Sequence, residues 1–201
     1  MENLNLRWFS LVNAPVGLSH TAIFAATALA EWVIFLVPLS LLWLWLRSEP
    51  HAREATIRAC MAAILGLLIN QAIGLLWFHP RPFMAGIGQN YLVHVADSSF
   101  PSDHVTIMTA VGVTLLKSAP RAVRQWGMKL LATVPVVGWA RVFLGVHYPF
   151  DILGAIVIGT LAAVCAQNTA MSLISTRLAT TAEWLYRRIL ARPIARGWLR
   201  A

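Results

Sequence analysis

Three short stretches carry the residues whose types and spacing could do chemistry: Arg81-Pro82, then Pro101-Ser102-Asp103-His104, then Arg141 with His147 six residues later and Asp151 four beyond. They supply two guanidinium forks, two imidazoles, a hydroxyl and two carboxylates, all where hydrophobic segments break. Such a set binds phosphate and does acid, base or nucleophilic chemistry on it. A phosphate ester or anhydride spreads its charge over several oxygens, so displacement at phosphorus is catalysed mostly by holding those oxygens and stabilising the charge that develops. The planar forks of Arg81 and Arg141 match two phosphate oxygens at once, which an ammonium cannot.

His147 and Asp151 are four apart at the start of a helical segment, so the carboxylate can orient one imidazole nitrogen while the other faces phosphorus as a nucleophile. That role needs a neutral ring, so activity is expected to fall in acid, at higher pH than for an isolated imidazole because Asp151 is negative. His104 is placed to give a proton to the departing oxygen and later to take one from water. Ser102 precedes an apolar helix, where it can cap, contact phosphate through its hydroxyl, or both; the free amides behind it form an anion seat. A metal site is not expected: there is no His-x3-His or Glu-rich pair, and two arginines repel a cation. His20, His51 and His94 lack partners in sequence and read as loop or interface residues.

The elements that must position these groups are helices. Residues 3–15 suit a short interfacial helix with Leu4, Trp8, Leu11 and Val12 on one stripe, blurred by Leu6 and Phe9. Apolar segments follow at about 21–46, 55–78, 103–117, 128–145 and 149–172, the first with Glu31 inside it and a kink expected at Pro38. Charge and a proline at Arg47–His51, and a basic stretch from Lys117 to Lys129, separate them, and a loop of about 18 residues, 83–100, is long enough to be functional. Residues 173–201 form a basic amphipathic tail.

Hydrophobic residues make up 58% of the 201 and charged ones 12%, which excludes an ordinary soluble domain. The expectation is an all-α membrane bundle in one domain, with about five spans and interfacial helices at both ends. Thirteen of the sixteen Lys and Arg residues fall on one side of such a bundle, which the positive-inside rule makes cytoplasmic. Only Arg7, Arg81 and Arg141 remain opposite, so the site should open outward, and the net charge of +8 reads as membrane orientation rather than nucleic-acid binding. Cys60 and Cys165 lie in apolar runs with no disulfide framework, and no cleavable signal is seen. Glu31 could be protonated, pair with a site residue or line a headgroup route; Asn70 and Gln71 read as interhelical hydrogen-bond glue.

The order Arg-Pro, Pro-Ser-x-His, Arg-x5-His-x3-Asp resembles the three-part signature of the type 2 phosphatidic acid phosphatase superfamily. The fuller stretches His79-Pro80-Arg81-Pro82-Phe83 and Phe100-Pro101-Ser102-Asp103-His104 are similar to its bacitracin-resistance branch, the undecaprenyl-diphosphate phosphatases. The resemblance covers about residues 55 to 170. Two departures stand out: Gly74 where the pattern has lysine, and Ala140 where it usually has serine. One phosphate contact is then missing, or His79 or the loop supplies it.

The resemblance implies a phosphohistidine at His147, supported by Asp151 and His104. It implies substrate-binding positions at Arg81, Ser102 and Arg141, and with them Asp103, Pro82 and His79 of the same motifs. It further implies no cofactor, a polyprenyl diphosphate as the lipid partner, and a multi-pass place in the bacterial inner (plasma) membrane, in recycling of the cell-wall lipid carrier. Phosphatidylglycerophosphate, phosphatidate and lipid A are alternative substrates, and a catalytically impaired headgroup binder or flippase is the alternative class. Oligomeric state is not read.

Overall fold

A computed structural model describes residues 2–47 and 50–200, and all regular structure among them is helical. Helix α1 (Glu2–Val12) turns Asn5 and Phe9 inward, while Leu4, Trp8 and Leu11 face outward. Phe9, the residue that blurred the expected stripe, packs its ring 5.4 Å from that of Tyr148, and Asn5 Oδ1 accepts from the Phe150 amide at 3.0 Å. The helix is thereby docked on the segment that carries His147.

The first long apolar segment is broken into α2 (His20–Thr27), a π turn (Ala28–Trp32), a 3₁₀ turn (Val33–Phe35) and α3 (Leu36–Arg47). The irregularity lies upstream of Pro38 rather than at it. Pro38 has no N–H to return to the carbonyl of Ile34, so the turn before it tightens, and the π turn takes up the extra residue. Helix α4 (Pro50–Leu76) follows; part of the expected Arg47–His51 connection, Ser48 and Glu49, lies outside the described residues.

After the long loop come α5 (Asp103–Leu116), α6 (Arg121–Phe143) and α7 (Pro149–Cys165). Helix α6 starts at Arg121, earlier than the 128 expected, because Arg, Ala, Val and Gln after Pro120 are acceptable helix residues whatever their charge. Helix α7 ends at Cys165, not near 172, because Asn168 Oδ1 accepts from the Met171 amide at 2.9 Å and caps a new helix, α8 (Thr169–Ile189), which leaves at 77°. A short α9 (Ala191–Ala195) closes the chain.

Among the described residues, His20–Arg47 and His51–Leu76 are each long and apolar enough to cross a membrane. With 14 residues, α5 rises only about 21 Å, short of a hydrocarbon core of about 30 Å. It is instead the hub, packed against α4, α6 and α7 with Val105, Met108, Val111 and Leu115 fully buried. Gly159 makes the approach of α7 possible, since a methyl group there would sit 2.7 Å from the Thr106 carbonyl oxygen and 3.0 Å from the Ala110 nitrogen. This close packing brings the N-termini of α5 and α7 together, with the Ser102 amide donating to the Asp151 carbonyl at 3.4 Å.

Candidate active site

His147 lies just before the start of α7 and is 1% exposed. Its Nδ1 meets the Ser99 carbonyl at 2.9 Å and Asp151 Oδ2 at 3.4 Å, and both are acceptors, so Nδ1 carries the proton. Its Nε2 lies 3.1 Å from Arg81 Nη1, which can only donate, so Nε2 presents a lone pair. That is the tautomer a nucleophile needs, and the Ser99 backbone is its nearer support. Asp151 also accepts from the Tyr148 amide at 2.7 Å and from the Ser99 hydroxyl, so it ties the start of α7 to the loop as well as facing the ring.

Burial, and after it the guanidiniums of Arg141 and Arg81, hold the His147 imidazole well below its usual value. This reverses the sequence expectation that Asp151 would raise it: the carboxylate is the farther of the two Nδ1 partners, and two cations stand close.

Arg81, 4% exposed, sits in the loop after α4. Its Nε donates to Asp97 Oδ1 at 2.8 Å and its Nη1 also to the Val146 carbonyl at 2.9 Å. Arg141, 1% exposed and in the last turn of α6, donates from Nη1 to Glu31 Oε1 at 2.7 Å and to the Ala30 carbonyl at 3.3 Å, and from Nη2 to His94 Nε2 at 3.0 Å. Its buried Nε has no partner. Ser102 is the N-cap of α5 by position, but its side chain caps nothing; its hydroxyl is buried and also unpartnered. Buried hydrogen-bonding groups left bare in this way are costly unless a ligand completes them.

His104 and His147 both lie within electrostatic reach of Arg81, Arg141 and His94. Asp103 accepts from Asn70 Nδ2 at 2.7 Å, and that nitrogen also donates to Thr106 at 3.0 Å, the interhelical role expected of Asn70. A polar cavity of about 220 Å³ beside Arg81 is lined by Asn70, Gln71, Gly74, Asp97, Ser98 and Asp103. It opens where the resembled pattern has lysine.

Pro82 is buried in the turn after Arg81 and its carbonyl accepts from the Ile87 amide at 2.9 Å. The His79 ring packs 5.3 Å from Trp77 and 5.4 Å from Tyr148, and it lines a second cavity, of about 420 Å³, with Glu2, Asn5, Phe150 and Asp151, on the carboxylate side of the His147–Asp151 pair rather than beside Arg81. Among the described residues no group of three His, Cys, Asp or Glu side chains is arranged to hold a metal ion.

Sequence reasoning missed His94, Asp97 and Ser99, and left Glu31 open. His94 reads in sequence as lacking a partner, yet it bonds Arg141 and its ring centroid lies 6.4 Å from that of His147. Burial, with Arg81 and Arg141 adding to it and the Val95 carbonyl opposing, lowers the His94 imidazole from its usual value. The only signal available was the i, i+3 spacing of His94 and Asp97 in a long loop.

Residues 55–175 match the model of the PAP2 superfamily. Among similar proteins are YbjG of Escherichia coli K12, a candidate undecaprenyl-diphosphatase by name, 36% identical over 100% of this chain and 99% of its own length. The undecaprenyl-diphosphatase BcrC of Bacillus subtilis is 34% identical over 75% of this chain and 77% of its own. The crystal structure of Aquifex aeolicus LpxE superposes with a TM-score of 0.64, covering 81% of this chain and 94% of that one; at 20% identity it speaks for the fold.

Proposed function

The chain belongs to the PAP2 superfamily and is a membrane phosphatase, and on that premise we propose that it hydrolyses undecaprenyl diphosphate to undecaprenyl phosphate and inorganic phosphate. The lipid is suggested by the names of the relatives, which match most or all of the chain. The chemistry rests on one observation: a buried imidazole whose Nε2 lone pair faces a guanidinium at 3.1 Å while its Nδ1 proton is held by a carbonyl at 2.9 Å.

In this reading the terminal phosphate sits between Arg81 and Arg141 and takes hydrogen bonds from the Arg141 Nε and the Ser102 hydroxyl. His147 Nε2 attacks the terminal phosphorus, the bond to the bridging oxygen breaks, and undecaprenyl phosphate leaves with a proton from His104. Water then attacks the phosphohistidine and gives its proton to His104. The P–N bond breaks, phosphate departs and the Nε2 lone pair is restored. The distribution of basic residues supports a site open to the periplasm or exterior and a cytoplasmic tail.

The test is phosphate release by purified protein given undecaprenyl diphosphate, phosphatidylglycerophosphate, phosphatidate or a lipid A phosphate in turn, alongside His147→Ala. The expected result is preference for the diphosphate, abolished in the variant, blocked by vanadate and undiminished by EDTA. Equal rates on all four lipids remove the substrate assignment. A His147→Ala protein that binds lipid as wild type does, with no turnover by either, makes the chain a headgroup binder.

A further inference from the structure

Glu31 is the one carboxylate in the first apolar segment, where an ionisable side chain is costly without a partner. It sits in the π turn Ala28–Trp32, the kind of helix defect that recurs at functional sites, and the turn packs against α6. There its Oε1 accepts from Arg141 Nη1 at 2.7 Å across 110 residues of sequence, with the Ala30 carbonyl on the same nitrogen at 3.3 Å. Two consecutive residues of one distorted turn therefore grip one guanidinium nitrogen.

Which nitrogen they grip matters. A guanidinium takes phosphate side-on through Nε–H and the Nη2 amine on the same edge. In Arg141, Nε is buried and without a partner, and Nη2 touches His94; Glu31 and Ala30 take Nη1, away from that edge. Arg81 is arranged the other way, with Asp97 on its Nε. The two carboxylates consequently differ in kind. Asp97 occupies an edge that phosphate can use, whereas Glu31 holds its arginine from behind and leaves the phosphate edge turned to the site.

We propose that Glu31 is the positioning residue of Arg141: it sets the orientation of the guanidinium and keeps its Nε–Nη2 edge aimed at the phosphoryl group, without touching substrate itself. The proposal rests on the reading of Arg141 as a phosphate grip. A regular helix through 28–35 would give up the paired backbone and side-chain acceptors, so the π turn is the device that delivers them. Displacing a gripping group by about 1 Å can cost about a hundredfold in rate, which sets the scale of the effect.

The experiment measures kcat and KM for undecaprenyl diphosphate, vanadate affinity and thermal unfolding for wild type, Glu31→Gln, Glu31→Ala, Arg141→Ala and the double alanine variant, all in detergent. Glu31→Ala is expected to lower kcat about 10- to 100-fold with KM within about threefold, and to weaken vanadate about tenfold. Glu31→Gln keeps an oxygen acceptor but gives up the charge, and recovers most of the loss, to about three- to tenfold below wild type. In the Arg141→Ala background either change at 31 should cost less than about twofold, because the group it orients is gone. Losses that multiply in the double variant overturn the role, as does Glu31→Gln with wild-type kcat and vanadate affinity, whatever happens to Glu31→Ala folding. A lower unfolding temperature with unchanged kcat and vanadate affinity likewise makes Glu31 a packing residue. A wild type that neither binds vanadate nor releases phosphate overturns the phosphoryl reading and this role together, and so is distinguishable from the other failures.

Discussion

Two of the buried arginines, Arg53 and Arg141, stand at opposite ends of the bundle, and only the first has a partner on every nitrogen. Arg53, in the first turns of α4, is 0% exposed; its Nε donates to the Trp45 carbonyl at 3.1 Å, its Nη1 to Glu183 at 2.8 Å and its Nη2 to the Arg200 carbonyl at 2.7 Å. The ring of Tyr186 lies 4.6 Å from its guanidinium carbon, and the Tyr186 hydroxyl donates to the same Arg200 carbonyl. Arg141 is as deeply buried but keeps a bare Nε, and the Ser102 hydroxyl at the start of α5 is likewise buried and bare. A guanidinium with every nitrogen bonded is a joint that fastens the tail to the bundle. One with an unmet donor suits a seat for an anion, because burying such a group without a partner costs about 1–3 kcal/mol.

The largest effects should separate joint from seat. Arg141→Ala is expected to lower kcat/KM by about a thousandfold, at the upper end of what one oxyanion donor contributes, with a far smaller loss of thermal stability. Arg53→Ala should do the reverse: roughly 2–4 kcal/mol of stability lost, reduced from a fully buried pair because Glu183 keeps Arg187, and kcat per folded molecule within about threefold of wild type. Phosphate-release assays and thermal unfolding of the two variants decide it. An Arg53→Ala protein that is folded but inactive would erase the distinction.

A smaller, mirrored pair uses hydroxyls. Ser102→Ala removes a buried group with no partner, so turnover should fall about 10- to 100-fold while the unfolding temperature holds or rises. Tyr186→Phe removes a satisfied hydroxyl, so stability should drop by about 1 kcal/mol with turnover intact. If both variants lose stability alone, Ser102 is part of the packing and the seat must be sought elsewhere.

The contrast also marks how far the sequence could be read. All-helical membrane architecture was legible because 58% hydrophobic composition and long apolar runs leave few alternatives. His147 and Asp151 were legible because a spacing of four places them on one turn. Ser102 was legible as a helix start, though not as a hydroxyl left uncapped. Spacing rules act over a turn or two, however, and the bonds Glu31–Arg141, Asp97–Arg81 and Arg53–Glu183 join residues 110, 16 and 130 apart through helix packing or a loop fold. The start of α6 falls earlier than expected because charge reads as loop although Arg and Gln form helix readily, and α8 starts earlier because the apolar run carries past Cys165 while one cap at Asn168 decides where a helix begins.

The smallest predicted effect is on pH dependence, and it too distinguishes the two ends. His147 must be neutral to attack, and burial with the Arg141 and Arg81 charges lowers its proton affinity, so it stays neutral below the ordinary imidazole value of about 6.5. The acid limb that the enzyme contributes to kcat/KM should therefore lie below that value, not above it as an isolated His–Asp pair would suggest. Replacing Arg81 by Gln removes one of the two charges and should move the limb to higher pH, beyond its effect on rate. Arg53→Met, at the far end of α4, should leave the limb in place. The same depression bears on folding: in the unfolded chain the ring protonates below about 6.5 while in the fold it does not, so stability present above that pH is lost as pH falls. A pH profile that shifts equally in both variants would mean that titration reports the whole protein's charge rather than the guanidinium 3.1 Å from Nε2.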